Sequence, residues 1–325
     1  MKDQYGRQIN YMRVSVTDRC NLRCIYCMPE EGIKQVSHQD ILTYDEIVQI
    51  VNAAAAVGIT RIKLTGGEPL VRKNLAGLVE ALRAVPGIEE VTVTTNGILL
   101  KEQIGKLAKA GISAVNISVD SLDPDMYASI ARKDALAAVL EGMEAAVSCP
   151  GLKVKINCVP LKGLNEEEWV RLAQIARERP IDVRFIEMMP MGLGRDFQGS
   201  SQKEVLERLR ETFGPEQYLD GNFGNGPATY VHFNGFAGKI GFISALSHKF
   251  CSECNRIRMT AEGFLKPCLQ YASGEDLREM IRNGASEEEL IRAINRTIYY
   301  KPACHHFEVD DSAEFEHKKM FRIGG

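Results

Sequence analysis

"RVSVTDRCNLRCIYCMP", residues 13–29, opens on a strand-like run and ends in three closely spaced cysteines. Arg13–Val16 reads as a short strand, and the loop directly after it carries Cys20, Cys24 and Cys27 in a C-x3-C-x2-C pattern. Loops of this class, leaving the C-terminal ends of parallel strands, carry the sites of α/β folds. Three thiolates cannot complete a closed tetrahedral zinc site, which needs four protein ligands. Cubane iron–sulfur clusters are also normally held by four cysteines, so a triplet leaves one iron without a protein ligand. A second triplet, Cys251, Cys254 and Cys268, reads C-x2-C-x13-C inside "FCSECNRIRMTAEGFLKPC". Two such open irons suggest two ligands brought together for chemistry.

Outward from the first triplet, residues 13 to 190 alternate short β-rich runs with helical stretches. The expected strands are Arg13–Val16, Arg61–Thr65, Val91–Thr95, Ala114–Val119, Lys153–Val159 and Asp182–Glu187. Amphipathic stretches such as Asp45–Val57, Lys101–Ala110 and Glu166–Glu178 lie between them, the first announced by Thr43 and Glu46 at capping-box spacing. Six β–helix units with near-continuous apolar strands predict a parallel sheet covered by helices. Periodicity alone leaves open a partly closed barrel or an open doubly wound sheet. After Met189 the composition shifts to Gly-rich connectors around a short helix, Gln202–Thr212. Strand pairs follow at Ala228–Phe233 with Lys239–Ile243 and at Arg256–Thr260 with Phe264–Pro267, then helices near Gly274–Asn283 and Glu287–Tyr299. The tail "DSAEFEHKKMFRIGG" reads as poorly structured. The expected division is a unit over 1–200 and a smaller C-terminal region over 201–325.

The chain of 325 residues is long enough to bury a large core. A net charge of −3 gives no overall basic field pointing to nucleic acid or membrane. There is no apolar run of membrane-spanning length, and "MKDQYGRQIN" is too polar for a secretory signal. Clustered free cysteines then fit a reducing, cytoplasmic setting.

The C-x3-C-x2-C spacing, with Tyr26 before the last cysteine, resembles the radical S-adenosylmethionine (SAM) superfamily, as does "TGGEP" at 65–69. The second triplet and the following "NRIR" (Asn255–Arg258) resemble the molybdenum cofactor biosynthesis protein A family, the GTP 3′,8-cyclases. "TTNG" at 94–97, "NISVDSLD" at 116–123, "KINCV" at 155–159, "RFIEMM" at 184–189 and the terminal Gly324–Gly325 extend that likeness over nearly the whole chain. The resemblance implies a partial (β/α)6 TIM-like barrel and a smaller α+β C-terminal region with a second cluster. It implies a radical SAM lyase that converts GTP to 3′,8-cyclo-7,8-dihydro-GTP. Its cofactors would be two [4Fe–4S] clusters, on Cys20, Cys24 and Cys27 and on Cys251, Cys254 and Cys268, together with SAM. Tyr26, Gly66, Gly67, Glu68, Ser118 and Met189 correspond to SAM contacts. Arg13, Lys63, Thr94, Lys155, Arg184 and the Arg256–Ile257–Arg258 segment correspond to GTP contacts. Arg13, Arg256, Arg258, Gly324 and Gly325 match residues with a part in catalysis. The implied partners are a flavodoxin- or ferredoxin-like one-electron donor and a cyclic pyranopterin monophosphate synthase that takes the product. Oligomeric state stays open, with a homodimer as one option.

The cations also stand on their own chemistry. Arg13, Lys63, Lys155 and Arg184 fall within strands that otherwise read apolar, where a charge is unexpected unless paired or liganded. Phosphate binds Arg through paired donors and Lys as a point charge, so four cations at strand ends suit a triphosphate. The plainer alternative pairs each with a buried carboxylate. Rival readings of the cysteines are a zinc knuckle completed by a residue such as His38, a radical SAM peptide maturase, and a metal-stabilised binding protein without catalysis. Cys304–His305–His306, Cys149, Cys158 and Trp169 are expected to be structural.

Overall fold

The computed structural model describes residues 1–34, 36–221, 223–307, 315, 316 and 320–323. Six strands form its centre: β1 (Tyr11–Ser15), β2 (Arg61–Thr65), β3 (Glu90–Thr95), β4 (Ala114–Ser118), β5 (Lys153–Cys158) and β6 (Asp182–Ile186). They lie side by side in sequence order, every pair parallel. Six helices link or flank them: α1 (Tyr44–Ala56), α2 (Leu75–Arg83), α3 (Leu100–Lys109), α4 (Pro124–Ala131), α5 (Leu136–Val147) and α6 (Glu168–Glu178). The Thr43–Glu46 capping box that announces α1 is formed, each side chain bonding the other residue's backbone N–H.

Alternation along each strand separates two environments, because successive side chains point to opposite faces. On the outer face, Met12, Val14, Ile62, Leu64, Val91, Val93, Val115, Ile117, Ile156 and Val183 are buried in one hydrophobic core that includes the helices' inner faces. Each such side chain contributes roughly 1.5–3 kcal/mol on burial, so this face can hold the barrel together. The inner face carries Arg13, Lys63, Thr92, Asn116, Lys155, Asn157 and Arg184. The strands are therefore not near-continuously apolar as the sequence reading expects. The six strands surround a polar cavity instead of a packed interior, which leaves only one face to bury. No β1–β6 pairing closes the ring, and the arrangement is a partial (β/α)6 barrel.

After α7 (Gln202–Phe213) the chain supplies strands to both edges of this sheet. β7 (Glu216–Leu219), β8 (Thr229–Phe233) and β9 (Ile240–Ile243) extend it beyond β6, with β9 parallel to β6. β10 (Arg256–Met259), β11 (Phe264–Lys266) and β12 (Glu275–Asp276) extend it beyond β1, with β10 parallel to β1. Helices α8 (Leu277–Arg282) and α9 (Glu287–Tyr299) follow. The expected helix from Gly274 starts only at Leu277, because Glu275 and Asp276 pair with β11. Gly274 makes that pairing possible: a Cβ there would sit 2.0 Å from the Leu265 carbonyl oxygen. The described tail residues also differ from the expectation of a poorly structured end. Met320–Arg322 form a short 3-10 turn, and Ile323 is buried with Met191 and Leu269. No helix among the described residues is long and apolar enough to cross a membrane.

Candidate active site

A cavity of about 1010 Å³ occupies the barrel, lined by residues of all six central strands, the loops above them and the C-terminal segment around Phe250, Arg256 and Arg258. Cys20, Cys24 and Cys27 all line it. Their loop is fixed by backbone bonds from Arg23 to Ala131 (3.1 Å) and from Ile25 to Ile130 (3.0 Å), which tie it to the end of α4. A tight turn brings Cys27 N–H and Met28 N–H onto the Cys24 carbonyl. Burial pushes the thiols of Cys20 to about 11 and Cys27 to about 12, and that of Cys24 well above the usual range. Such thiols become thiolates only when a bound cation offsets the burial.

The donor set fits a multi-iron cluster. Its three cysteines are one short of the four protein ligands that a closed zinc site needs. Cubane ligands each take a different iron and so stand apart. His38, the possible fourth zinc ligand, is exposed and pairs with the Arg19 guanidinium at 3.1 Å.

Beside the thiols, the loop after β2 lies directly on the cysteine loop. Gly67 N–H donates to Thr17 O (2.8 Å) and Glu68 N–H to Arg19 O (2.7 Å). A Cβ on Gly66 would meet Thr17 O at 2.4 Å, and one on Gly67 would meet Arg19 O at 2.3 Å, so both positions need glycine. Glu68 accepts from Asn96 N–H (2.6 Å), Thr95 Oγ1 (2.7 Å) and Leu70 N–H (2.9 Å). Burial nonetheless raises its carboxyl to about 7. Tyr26 donates its hydroxyl to Asp120 Oδ2 at 2.6 Å, and burial holds Asp120 at about 6. Ser118 and Met189 line the same cavity.

The cavity as a whole is lined by nine Lys and Arg side chains against five Asp and Glu, and lower in the barrel the lining turns cationic. Strand register places Arg258, Arg13 and Lys63 side by side on β10, β1 and β2. Burial lowers the pKa of all three, and for each a neighbouring cation adds to the effect. Lys63 has no hydrogen-bond or carboxylate partner among the described residues. Arg184 is held by neutral acceptors, its Nη2 bonding Asn116 Oδ1 and Asn157 Oδ1, each at 2.6 Å. Lys155 follows the plainer reading: it pairs with Asp182 at 2.9 Å and also donates to Tyr230 Oη and Phe223 O. A row of like charges in a barrel is costly when empty and is offset by an anion.

Thr94 also lines the cavity, but the Ile257 side chain is fully buried in the core between Arg256 and Arg258, leaving only its main chain near the site. Gly324 and Gly325 lie outside the described residues, while Met320 and Phe321 line the cavity. Asn96, Asn116, Asp120 and Asn157 are the residues that the sequence reading passed over. They sit inside motifs it quoted, and their signal is polarity at inward strand positions (Asn116, Asn157) or just past strand ends (Asn96, Asp120). His305 is buried, bonding Ala245 O at 2.7 Å, as a structural role requires.

The second triplet flanks β10 and β11. Cys254 N–H donates to Cys251 O within a short turn, and Cys268 follows β11. Although burial opposes it, Lys301 and Arg256 bring the Cys254 thiol down to about 6. Cys254 thus differs from the first three thiols in having cations that outweigh its burial.

Comparison with known proteins assigns residues 14–176 to the Radical SAM superfamily and residues 181–307 to Molybdenum Cofactor Synthesis C. The chain is 45% identical over 327 residues to a GTP 3′,8-cyclase of Clostridium perfringens (strain 13 / Type A), covering 100% of both. It is 43% identical over 328 residues to that of Pelotomaculum thermopropionicum, again covering 100% of both. Among solved structures, Streptococcus suis SuiB superposes with a TM-score of 0.63 at 15% identity, over 91% of this chain and 67% of that one. At that identity the likeness concerns the fold alone.

Proposed function

This chain belongs to the radical SAM superfamily and, within it, to the GTP 3′,8-cyclases, and we propose that its barrel cavity is where GTP becomes 3′,8-cyclo-7,8-dihydro-GTP, the first step of molybdenum cofactor biosynthesis. The observation that carries this reading is the row Arg258–Arg13–Lys63, which faces the same cavity as the thiols of Cys20, Cys24 and Cys27. In this reading those three cysteines hold one [4Fe–4S] cluster. When loaded, the cluster and SAM supply the 5′-deoxyadenosyl radical, one-electron chemistry beyond any side chain.

The chain's own residues bind, orient and exclude water. Glu68, fixed by three donors, accepts the ammonium of SAM. Gly66 and Gly67 let the backbone approach, and Tyr26, Ser118 and Met189 surround the rest. Arg13, Lys63 and Arg184 neutralise the triphosphate, Lys155, its charge already met by Asp182, adds a hydrogen-bond donor, and Thr94 adds a hydroxyl. Arg184 suits that task because its asparagine partners orient the guanidinium without cancelling its charge. Cys251, Cys254 and Cys268 hold the second [4Fe–4S] cluster, and Arg256, the Ile257 backbone and Arg258 place the guanine beside it. Gly324 and Gly325 keep the part in catalysis that the family likeness implies. A flavodoxin- or ferredoxin-like donor provides the electron, and a cyclic pyranopterin monophosphate synthase takes the product. The cytoplasm keeps all nine free cysteines reduced.

Anaerobic incubation of the iron-replete chain with SAM and a reductant tests the assignment against a nucleotide panel. GTP is expected to yield 5′-deoxyadenosine together with a cyclised nucleotide, and ATP or guanosine to yield no cyclised product. Absence of cyclised nucleotide with GTP would remove the assignment.

A further inference from the structure

Two buried cations from opposite ends of the chain meet at the second triplet. Arg7 is 7% exposed, and every guanidinium nitrogen is engaged. Its Nε donates to Asp3 Oδ2 at 2.5 Å, Nη1 to the carbonyls of Cys251 (2.7 Å) and Ala303 (2.9 Å), and Nη2 to those of Lys301 (3.3 Å) and Pro302 (2.7 Å). These five acceptors match the five N–H donors of a guanidinium.

Lys301, just after α9, is 2% exposed, and its ammonium donates to the carbonyl of Pro267, the residue before Cys268. Among the described residues no carboxylate pairs with Lys301. A buried ammonium with one carbonyl partner keeps two unused donors and an uncompensated charge, an arrangement that costs stability unless negative charge lies nearby. The negative charge available is that of the triplet: Pro267, which Lys301 bonds, precedes Cys268, and Arg7 joins the carbonyls of Lys301 and Cys251. Arg256, a cation near Cys254 in sequence, lines the cavity, where a phosphate would compete for it. Lys301 does not line the cavity.

We propose that Lys301 is a positioning residue of the second triplet, supplying the buried positive charge that compensates its thiolates and the cluster they hold, while Arg7 fixes Lys301 and Cys251 through one guanidinium. The proposal rests on reading Cys251, Cys254 and Cys268 as a cluster site. An iron–sulfur core on three thiolates is anionic overall and becomes more so on reduction, so a fixed nearby cation favours the reduced form. A lysine that merely packed against Pro267 would leave the potential unchanged.

The test uses the full-length chain carrying Cys20→Ser, Cys24→Ser and Cys27→Ser, so that only the second triplet can bind iron. Iron content and midpoint potential are compared for Lys301, Lys301→Met and Lys301→Arg. Lys301→Met is expected to shift the reduction equilibrium about tenfold toward the oxidised cluster, about 59 mV more negative for one electron. Lys301→Arg is expected to keep the parent potential. Loss of iron in Lys301→Met with retention in Lys301→Arg also supports the proposal. An unchanged potential in Lys301→Met, or equal iron loss in both variants, overturns it and leaves the cluster reading standing. If the triple-serine chain with Lys301 intact takes up no iron, the cluster reading falls and the proposal falls with it.

Discussion

Cys24→Ser is expected to take 5′-deoxyadenosine formation to the detection limit, with or without GTP. Of the three thiols after β1, Cys24 is the one whose loop is pinned on both sides, by Arg23 and Ile25 to the end of α4 and by its own carbonyl to Cys27 and Met28. A serine keeps those backbone bonds and removes only the sulfur. Losing an outer-shell partner of a metal ligand already costs about 10–100-fold in affinity or activity, so losing a ligand from a set of three goes further. The measurement is chromatographic quantification of 5′-deoxyadenosine, beside an iron assay. The iron assay is expected to show loss of the first cluster while the second remains. Full SAM cleavage by Cys24→Ser would mean that the triplet does not generate the radical.

Cys268→Ser is expected to behave differently. SAM cleavage should persist within about threefold, while cyclised nucleotide falls by about 100-fold or more. The reason is positional: a displacement of about 1 Å at a reacting centre can cost about 100-fold, and the second triplet holds only the substrate end in this account. The variant leaves the first cysteine loop, Glu68 and the Tyr26–Asp120 pair untouched, because Cys268 follows β11 on the far side of β10 and β1. Both quantities come from one reaction mixture, so the ratio of 5′-deoxyadenosine to cyclised nucleotide is the readout. Equal loss of both would contradict the division of labour between the triplets.

Much of this was legible in the sequence because the decisive groups are local. Strand, cysteine loop and "TGGEP" each fit in a short window, and the six central strands fall within two residues of their expected bounds. What alternation meant was harder to read. "RIKLT" and "KVKIN" place a cation or a neutral polar residue at every second position, which in a parallel sheet marks a polar inner face, not merely isolated buried charges. The edge strands β7 and β12 escaped because they are short and polar, with little apolar pattern to betray them. The attachment of β10 to β1 and the Arg7–Cys251 contact escaped for a different reason. Each joins segments more than 240 residues apart, and no window of sequence contains both partners.

The claim that the first triplet and the cationic row act on one substrate in one cavity is tested most directly with GTP deuterated at C3′. The account predicts that the 5′-deoxyadenosine isolated from that reaction carries deuterium from the ribose. 5′-Deoxyadenosine free of deuterium, in a reaction that forms the cyclised nucleotide, would contradict it.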